Sequence, residues 1–484
     1  MVPKSCLRLS YFFMLAVQIS CTLPRHLEPK EKIEHPENLR YDFKEAPPLI
    51  EAVAALSWKN YYKDSLLLAL IDTALARNLD IKVAEQNLYA AQASLKAASG
   101  RLWPSLNFAA GAGLTRFGRQ TIDGVGNYDV NFSPNISPDQ RIPNPVPDFA
   151  LGLQTSWEID ISGKLRQYRK AARYRYLASE EGLRFVKTQV VAGVASLYYL
   201  LIALDTELEI IRRNLELQES ALEVIQIQKQ SGKINELAVK QFKTQVLDTR
   251  SLEYEKMQER LAVENALNVL MARFPGRIPR KDTLNVSDLP VQIQGSIPFA
   301  LLYQRPDIKS ALHEAEAARH NLKAARAELY PSLLLSGTIG INGFDPAGLF
   351  SLPGSFAFNL MAGLVAPLIN RYDLLGYYRL SFAEKNKALL DLQQKLITAA
   401  SEVVNELNRF ENFRKVADYK LEQFLLMKEA LKIADQLFYT GYANYLEVLM
   451  TRQVLLRAEL ELTEARLQQY LASIQLLRAL GGGL

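Results

Sequence analysis

The sequence predicts an α+β membrane protein, a tandem repeat of helix, strand, strand, long helix and helix. Four strands per chain cannot close alone, and the fold class expected is a trimeric, about 12-stranded β-barrel continued by an α-helical coiled-coil barrel. Three observations carry this expectation. Trp103-Pro104-Ser105-Leu106 returns as Tyr330-Pro331-Ser332-Leu333, and the 227-residue offset from Pro104 to Pro331 also separates Asp80-Ile81 from Asp307-Ile308. After each copy the apolar period changes to two. Beyond the strands lie two uninterrupted helical stretches, from about 164 to 230 and from about 374 to 439, with coiled-coil spacing.

The first twenty residues read as an export signal. Lys4 and Arg8 precede the apolar run Tyr11-Phe12-Phe13-Met14-Leu15-Ala16-Val17 and then Ile19-Ser20-Cys21. This predicts a signal peptide over 1–20 and a lipid anchor on Cys21, which would then be the mature chain's only cysteine. Ser20 suits a lipobox; Gln18, where Leu is usual, fits an ordinary signal peptide instead. Residues 21–63, with Pro24, Pro29, Pro36, Pro47 and Pro48, read as an extended arm.

The first repeat, 64–273, opens with a helix from about 64 to 101 that Pro104 cannot continue. In the strand expected at about 106–116, Leu106, Phe108, Ala110, Ala112 and Leu114 alternate with small and polar residues. A polar, proline-bearing loop leads to a second strand at about 149–160, where Phe149, Leu151, Leu153, Thr155, Trp157 and Ile159 alternate strictly. Gly163 ends it and the first long helix begins. Its apolar residues Val190, Val194, Leu197, Leu201, Leu204, Leu208, Ile211 and Leu215 step by four and three. Ser231-Gly232 is a helix stop, so the tip of a helical hairpin falls at about 231–236. A linker at 274–298 precedes the second repeat, 299–484, with strands at about 333–342 and 356–366 and a tip at about 440–445. Gly232 and Gly441 are 209 residues apart, so the tips repeat as well.

A strand with one large apolar face and one small or polar face, about ten residues long, suits a membrane barrel. Four such strands cannot close, and an open edge in hydrocarbon leaves backbone groups without partners. The chain is therefore expected to oligomerise; three copies would give about 12 strands, wide enough to leave a water-filled lumen. A helix of about 67 residues at 1.5 Å per residue runs roughly 100 Å, the length of a duct rather than of a simple pore. Net charge is +5 over 484 residues and dispersed, with no basic stripe that suggests nucleic acid. Mean hydropathy near zero and no run of eighteen apolar residues argue against a helical membrane protein. No phosphate loop, dinucleotide fingerprint or nucleophile elbow occurs, so no enzyme and no cofactor is expected. His313 and His320, with Glu314 and Glu316 beside them, lie two turns apart without a metal-ligand pattern, so no metal is expected and they read as exposed helix residues.

The whole chain resembles the TolC-type outer-membrane factors, and within them the lipoprotein (NodT-like) subgroup associated with RND efflux pumps. Trp103-Pro104-Ser105-Leu106 and its echo carry the resemblance, with Trp157-Glu158-Ile159-Asp160 running into Gly163-Lys164. Leu301-Leu302-Tyr303-Gln304-Arg305-Pro306-Asp307-Ile308 and Thr440-Gly441-Tyr442-Ala443-Asn444-Tyr445-Leu446-Glu447-Val448-Leu449 add to it. The resemblance implies a homotrimer, an outer-membrane barrel, a periplasmic helical barrel, a periplasmic adaptor protein and an inner-membrane pump of RND type. It implies an exit duct for small molecules, with the outer-membrane duct of a type I protein-secretion system as the alternative. It places a periplasmic gate at Leu446 and Met450, although Met450 stands where relatives often carry an aspartate. Ordinary heptad packing is the other reading of these two. Adaptor docking is implied at Gly232, Lys233, Gly441 and Tyr442; the glycines alone would merely end helices.

Overall fold

The computed structural model describes residues 38–39, 57–232, 234–281, 297–367 and 371–482. Cys21 and Lys233 lie outside the described residues. The chain enters through a short helix α1 (Trp58–Tyr61) and helix α2 (Ser65–Arg77), which Asp64 caps by accepting the Leu66 N–H at 2.9 Å. The apolar period predicts one helix from there to residue 101. Instead Asn78, at φ −53° and ψ 133°, breaks it and starts α3 (Leu79–Gly100). Its side chain accepts from Ile81 N–H at 3.0 Å and donates to the Leu270 carbonyl at 2.9 Å, so the break is also an anchor.

Strand β1 (Ser105–Thr115) follows Pro104, and β2 (Val146–Ile159) returns. Between them the loop carries a helix, α4 (Ile122–Val130), capped by Thr121; its two glycines hide it from a propensity reading. Helix α5 (Lys164–Gln230) runs 67 residues, and α6 (Glu236–Leu270) comes back along it. The second half repeats the order with α7 (Pro306–Ala327), β3 (Ser332–Gly343), β4 (Phe356–Val365), α8 (Arg371–Thr440) and α9 (Tyr445–Ala479). A two-residue ladder pairs Asn38–Leu39 with Ile297–Pro298. Side by side, α3 packs on α5, α5 on α7 and α7 on α8, while α6 and α9 pair with the far halves of α5 and α8. Val190, Val194, Leu201, Leu204, Leu208 and Ile211 are buried along this seam. By length and composition α5 contains one window apolar enough to cross a membrane, but more than half of that window is buried inside the fold, as in a core helix.

The four long strands form an antiparallel sheet in the order β1-β2-β3-β4. Its register puts the alternating residues together. Phe108 faces Leu153, Leu153 faces Ile339 and Ile339 faces Phe358, all on one side. Leu106, Phe108, Leu114, Phe358, Leu360 and Leu364 on that side are two-thirds exposed or more. The other side carries Asn107, Gly111, Gly152, Gln154, Ser156, Ser336, Thr338 and Asn359. Among the described residues neither outer edge, β1 or β4, has a further strand beside it.

At mid-sheet Gly152 faces Gly340. A Cβ at Gly340 would stand 2.3 Å from the Leu151 carbonyl oxygen and 2.7 Å from the Gly152 Cα. Here glycine is required by backbone approach. Within the second repeat Arg305, nearly fully buried, ties the start of α7 to α8 and the end of α9, donating to Asp307 Oδ2 at 2.8 Å, Glu402 Oε2 at 3.1 Å and Ala479 O at 2.9 Å.

Two outcomes follow. Gly340→Ala should lower stability by about 1–3 kcal/mol through overpacking, seen as a reduced thermal midpoint in detergent. Gly363→Ala, with nothing within 4 Å of its Cβ, should not, and equal midpoints would contradict the register. Arg305→Ala strands Asp307 and, among the described residues, leaves Glu402 only Arg478 as a partner at 3.5 Å, and should cost about 3 kcal/mol; a midpoint like that of an exposed-lysine variant would contradict its role as the clamp.

Candidate channel gate and docking tips

The far ends of the two helical hairpins are built alike. Helix α5 stops at Gly232, φ +73°, and α8 at Gly441, φ +82°, in the left-handed region that glycine enters freely. Gly232 N–H returns to the Lys229 carbonyl at 2.9 Å, and Tyr442 N–H to the Leu437 carbonyl at 2.9 Å. Each following helix is capped by an asparagine. Asn235 accepts from Ala238 N–H at 3.1 Å; Asn444 accepts from Leu446 N–H at 2.9 Å and Glu447 N–H at 3.1 Å.

A small apolar core joins the two tips. Ile225, Ala238, Val239 and Phe242 are buried, and Ile234, Phe438, Tyr445 and Leu449 pack against them. The Phe242 and Tyr445 rings lie 6.5 Å apart. Polar contacts brace each hairpin. Arg452 donates to Asp435 at 3.0 Å, joining α9 to α8, and Lys229 pairs with Glu236 across the first turn. That partner holds the Glu236 carboxyl below its ordinary value.

Where do the sequence-derived site residues stand? Gly441 and Tyr442 are exposed at one tip and Gly232 at the other, with Tyr442 85% exposed. Leu446 and Met450 share a face of α9 one turn apart, at 41% and 58% exposure. Neither belongs to the tip core, which takes Tyr445 and Leu449 from the same helix. Their neighbour Glu447 is exposed as well. The face of α9 that holds both apolar side chains is therefore only partly covered among the described residues.

The histidines differ from expectation. His320 is buried between α5 and α7, 2.7 Å from Gln167 Oε1 through Nδ1 and stacked on Tyr174 at 5.3 Å. Burial first, then Lys323 and Lys170, holds it below the ordinary imidazole value. Among the described residues no three His, Cys, Asp or Glu side chains gather as a metal site would need. Nothing in the spacing of residues 313–320 marked His320 as buried; its cover comes from residue 174, far away in sequence.

The model of the outer membrane efflux protein family matches residues 70–273 and 298–482. The solvent efflux pump outer membrane protein SrpC of Pseudomonas putida is 28% identical over 436 residues, 89% of this chain and 88% of its own. The probable outer membrane lipoprotein SilC of Salmonella typhimurium is 24% identical over 484 residues, 100% of this chain and 99% of its own. The cation efflux system protein CusC of Escherichia coli K12 is 26% identical over 427 residues, 88% of each chain. A crystal structure of CusC shares the fold with a TM-score of 0.80 at 24% identity, over 95% of this chain and 99% of that one. Sheet, hairpins and matched length lead to one conclusion: this chain belongs to the outer membrane efflux protein family.

Proposed function

We propose that three copies of the chain close a twelve-stranded barrel, β1 of one against β4 of the next, in the outer membrane. The helices continue it into the periplasm as an α-helical barrel. The whole serves as exit duct of a tripartite efflux system, taking small molecules from an inner-membrane pump of RND type through a periplasmic adaptor.

One observation carries this reading: a four-stranded sheet with an exposed apolar face and two edges that are unpaired among the described residues. In hydrocarbon an unpaired backbone group costs several kcal/mol, and closure on further copies is what removes both edges. Twelve strands leave a lumen, and Asn107, Gln154, Ser156, Ser336, Thr338 and Asn359 would line it. Relatives named for solvent and cation efflux support small solutes over the protein cargo of a type I secretion system.

Within this reading residues 1–20 are the signal peptide and 21–63 the arm, anchored by acyl chains on Cys21. Residues 64–273 and 299–484 are the two repeats, joined by 274–298. The tips around Gly232-Lys233 and Gly441-Tyr442 meet the adaptor. Leu446 and Met450, which stand partly exposed on α9, converge about the threefold axis as an apolar closure. An aspartate ring there would attract cations; Met450 does not, so the closure excludes ions by dewetting rather than by charge.

Leu446→Cys in the trimer should form inter-chain disulfides on oxidation, because residues about a tight axis come within the roughly 7 Å Cα separation such bonds need. Oxidation should also suppress bilayer conductance, and reductant restore it. Absence of inter-chain species with conductance unchanged would refute the gate.

A further inference from the structure

Charge that looks dispersed along the sequence is gathered in space. Residues 161–179 contain Lys164, Arg166, Arg169, Lys170, Arg173 and Arg175 and no acid. Residues 317–327 contain Arg319, Lys323 and Arg326 and no acid. The two runs are some 150 residues apart, yet β2 pairs with β3 so that Ile159 faces Leu333, which sets the start of α5 beside the end of α7. Ser310 Oγ to the Ala178 carbonyl at 3.0 Å and His320 to Gln167 at 2.7 Å fix the antiparallel alignment.

The cations share a side. On α5, Arg166, Arg169, Lys170 and Arg173 are exposed at spacings of three and four. On α7, Arg319, Lys323 and Arg326 are exposed with the same spacing. The opposite side is identified by Tyr168, whose hydroxyl donates to Glu328 of α7 at 2.7 Å and reaches Tyr377 of α8 at 3.4 Å. That is where α5, α7 and α8 converge. At about 100° per residue, both cationic stripes lie roughly opposite Tyr168 and Glu328. In a closed barrel the converging side faces the lumen and the stripes face out.

Nearby acids do not neutralise them. Glu158 pairs with Lys164 at 2.6 Å, Asp160 with Arg166 at 2.9 Å, Glu316 with Arg319 at 3.3 Å, and Glu328 is taken by Tyr168. Among the described residues, Arg169, Lys170, Arg173, Lys323 and Arg326 make no ion pair. The first turn of α5 holds no acid, although cations there oppose the helix dipole. His320, sealed between the helices, feels the excess, for Lys323, Lys170 and Arg319 all act against its protonation.

Depth selects the occupant. Trp103 (75% exposed), Trp157, Tyr330 and Tyr372 stand where the strands end, the place of an interfacial aromatic belt. Arg169, Lys170 and Arg326 follow within a few helical turns, and their stems can reach back to headgroup level.

We propose that this outward patch, Arg169, Lys170, Arg173, Lys323 and Arg326, binds the phosphate headgroups of anionic phospholipid in the periplasmic leaflet. The patch rests on the membrane reading of the four strands. It collars the barrel where wall and bilayer meet and fixes how deep the trimer sits.

The test uses the full-length mature protein in nanodiscs of equal phosphatidylglycerol and phosphatidylcholine, with native mass and retained lipid measured together. The variant Arg169→Gln/Lys170→Gln/Arg173→Gln is compared with Arg175→Gln/Lys387→Gln/Lys395→Gln, which removes equal charge around the groove between α7 and α8 on the converging side. Wild type and the groove variant should both enrich phosphatidylglycerol, and the patch variant should lose at least about fivefold of that enrichment. Equal enrichment in all three overturns the proposal. So does enrichment that inorganic phosphate at matched ionic strength abolishes, which would mark a free-anion site. Loss of adaptor binding without any lipid preference overturns it in favour of a protein partner. Failure of wild type to assemble in the bilayer is seen in the native mass, and it sinks the channel reading itself.

Discussion

A backbone N–H or C=O in hydrocarbon has no water to turn to, and most of this architecture follows from that. The sheet solves the problem internally for β2 and β3, which are paired on both sides, and leaves it open for β1 and β4. Its apolar residues could not be buried elsewhere in the chain, since the helices pack on one another and leave that face bare. Exposed leucines and phenylalanines in register across four strands are costly in water and favourable in lipid. The environment that rewards the face is the one that forbids the edges. On the proposed barrel reading, association is a condition of the fold rather than a later event.

The helices inherit their order from the sheet. Each strand continues into, or from, one helix, so the sequence β1-β2-β3-β4 becomes α3-α5-α7-α8 with no separate instruction. The junctions are stiffened by local chemistry. Asp160 accepts from the Leu165 and Arg166 N–H groups at 3.0 Å each, capping α5 as the chain leaves β2. Trp157 donates its indole N–H to the Leu102 carbonyl at 3.0 Å, tying that corner to the end of α3. In the proposed barrel, stiff corners would join strands and hairpins into one wall. At the tips the apolar core takes Tyr445 and Leu449 inward and leaves Leu446 and Met450 partly exposed.

What could be read in the residues was whatever has a short period or a sharp stop. Alternation from Phe149 to Ile159 can be seen because successive side chains of a strand stand on opposite faces of the sheet, and Gly232 and Gly441 because a left-handed stop all but demands glycine. The break at Asn78 escaped because the apolar period runs on through it; what decides it is a bond to the Leu270 carbonyl, 192 residues away. Helix α4 escaped because Gly124 and Gly126 argue against it locally. Burial of His320 and the union of two basic runs escaped for one reason. Both depend on which helices the strand register sets side by side, and no single window contains that.

The most direct test of the account is the native mass of the protein extracted in mild detergent from purified outer membranes. A single species of three chains, shifting to monomer on heating, is the expected result. A monomer recovered in the soluble fraction would contradict it, since the apolar face and open edges would then have to be tolerated in water.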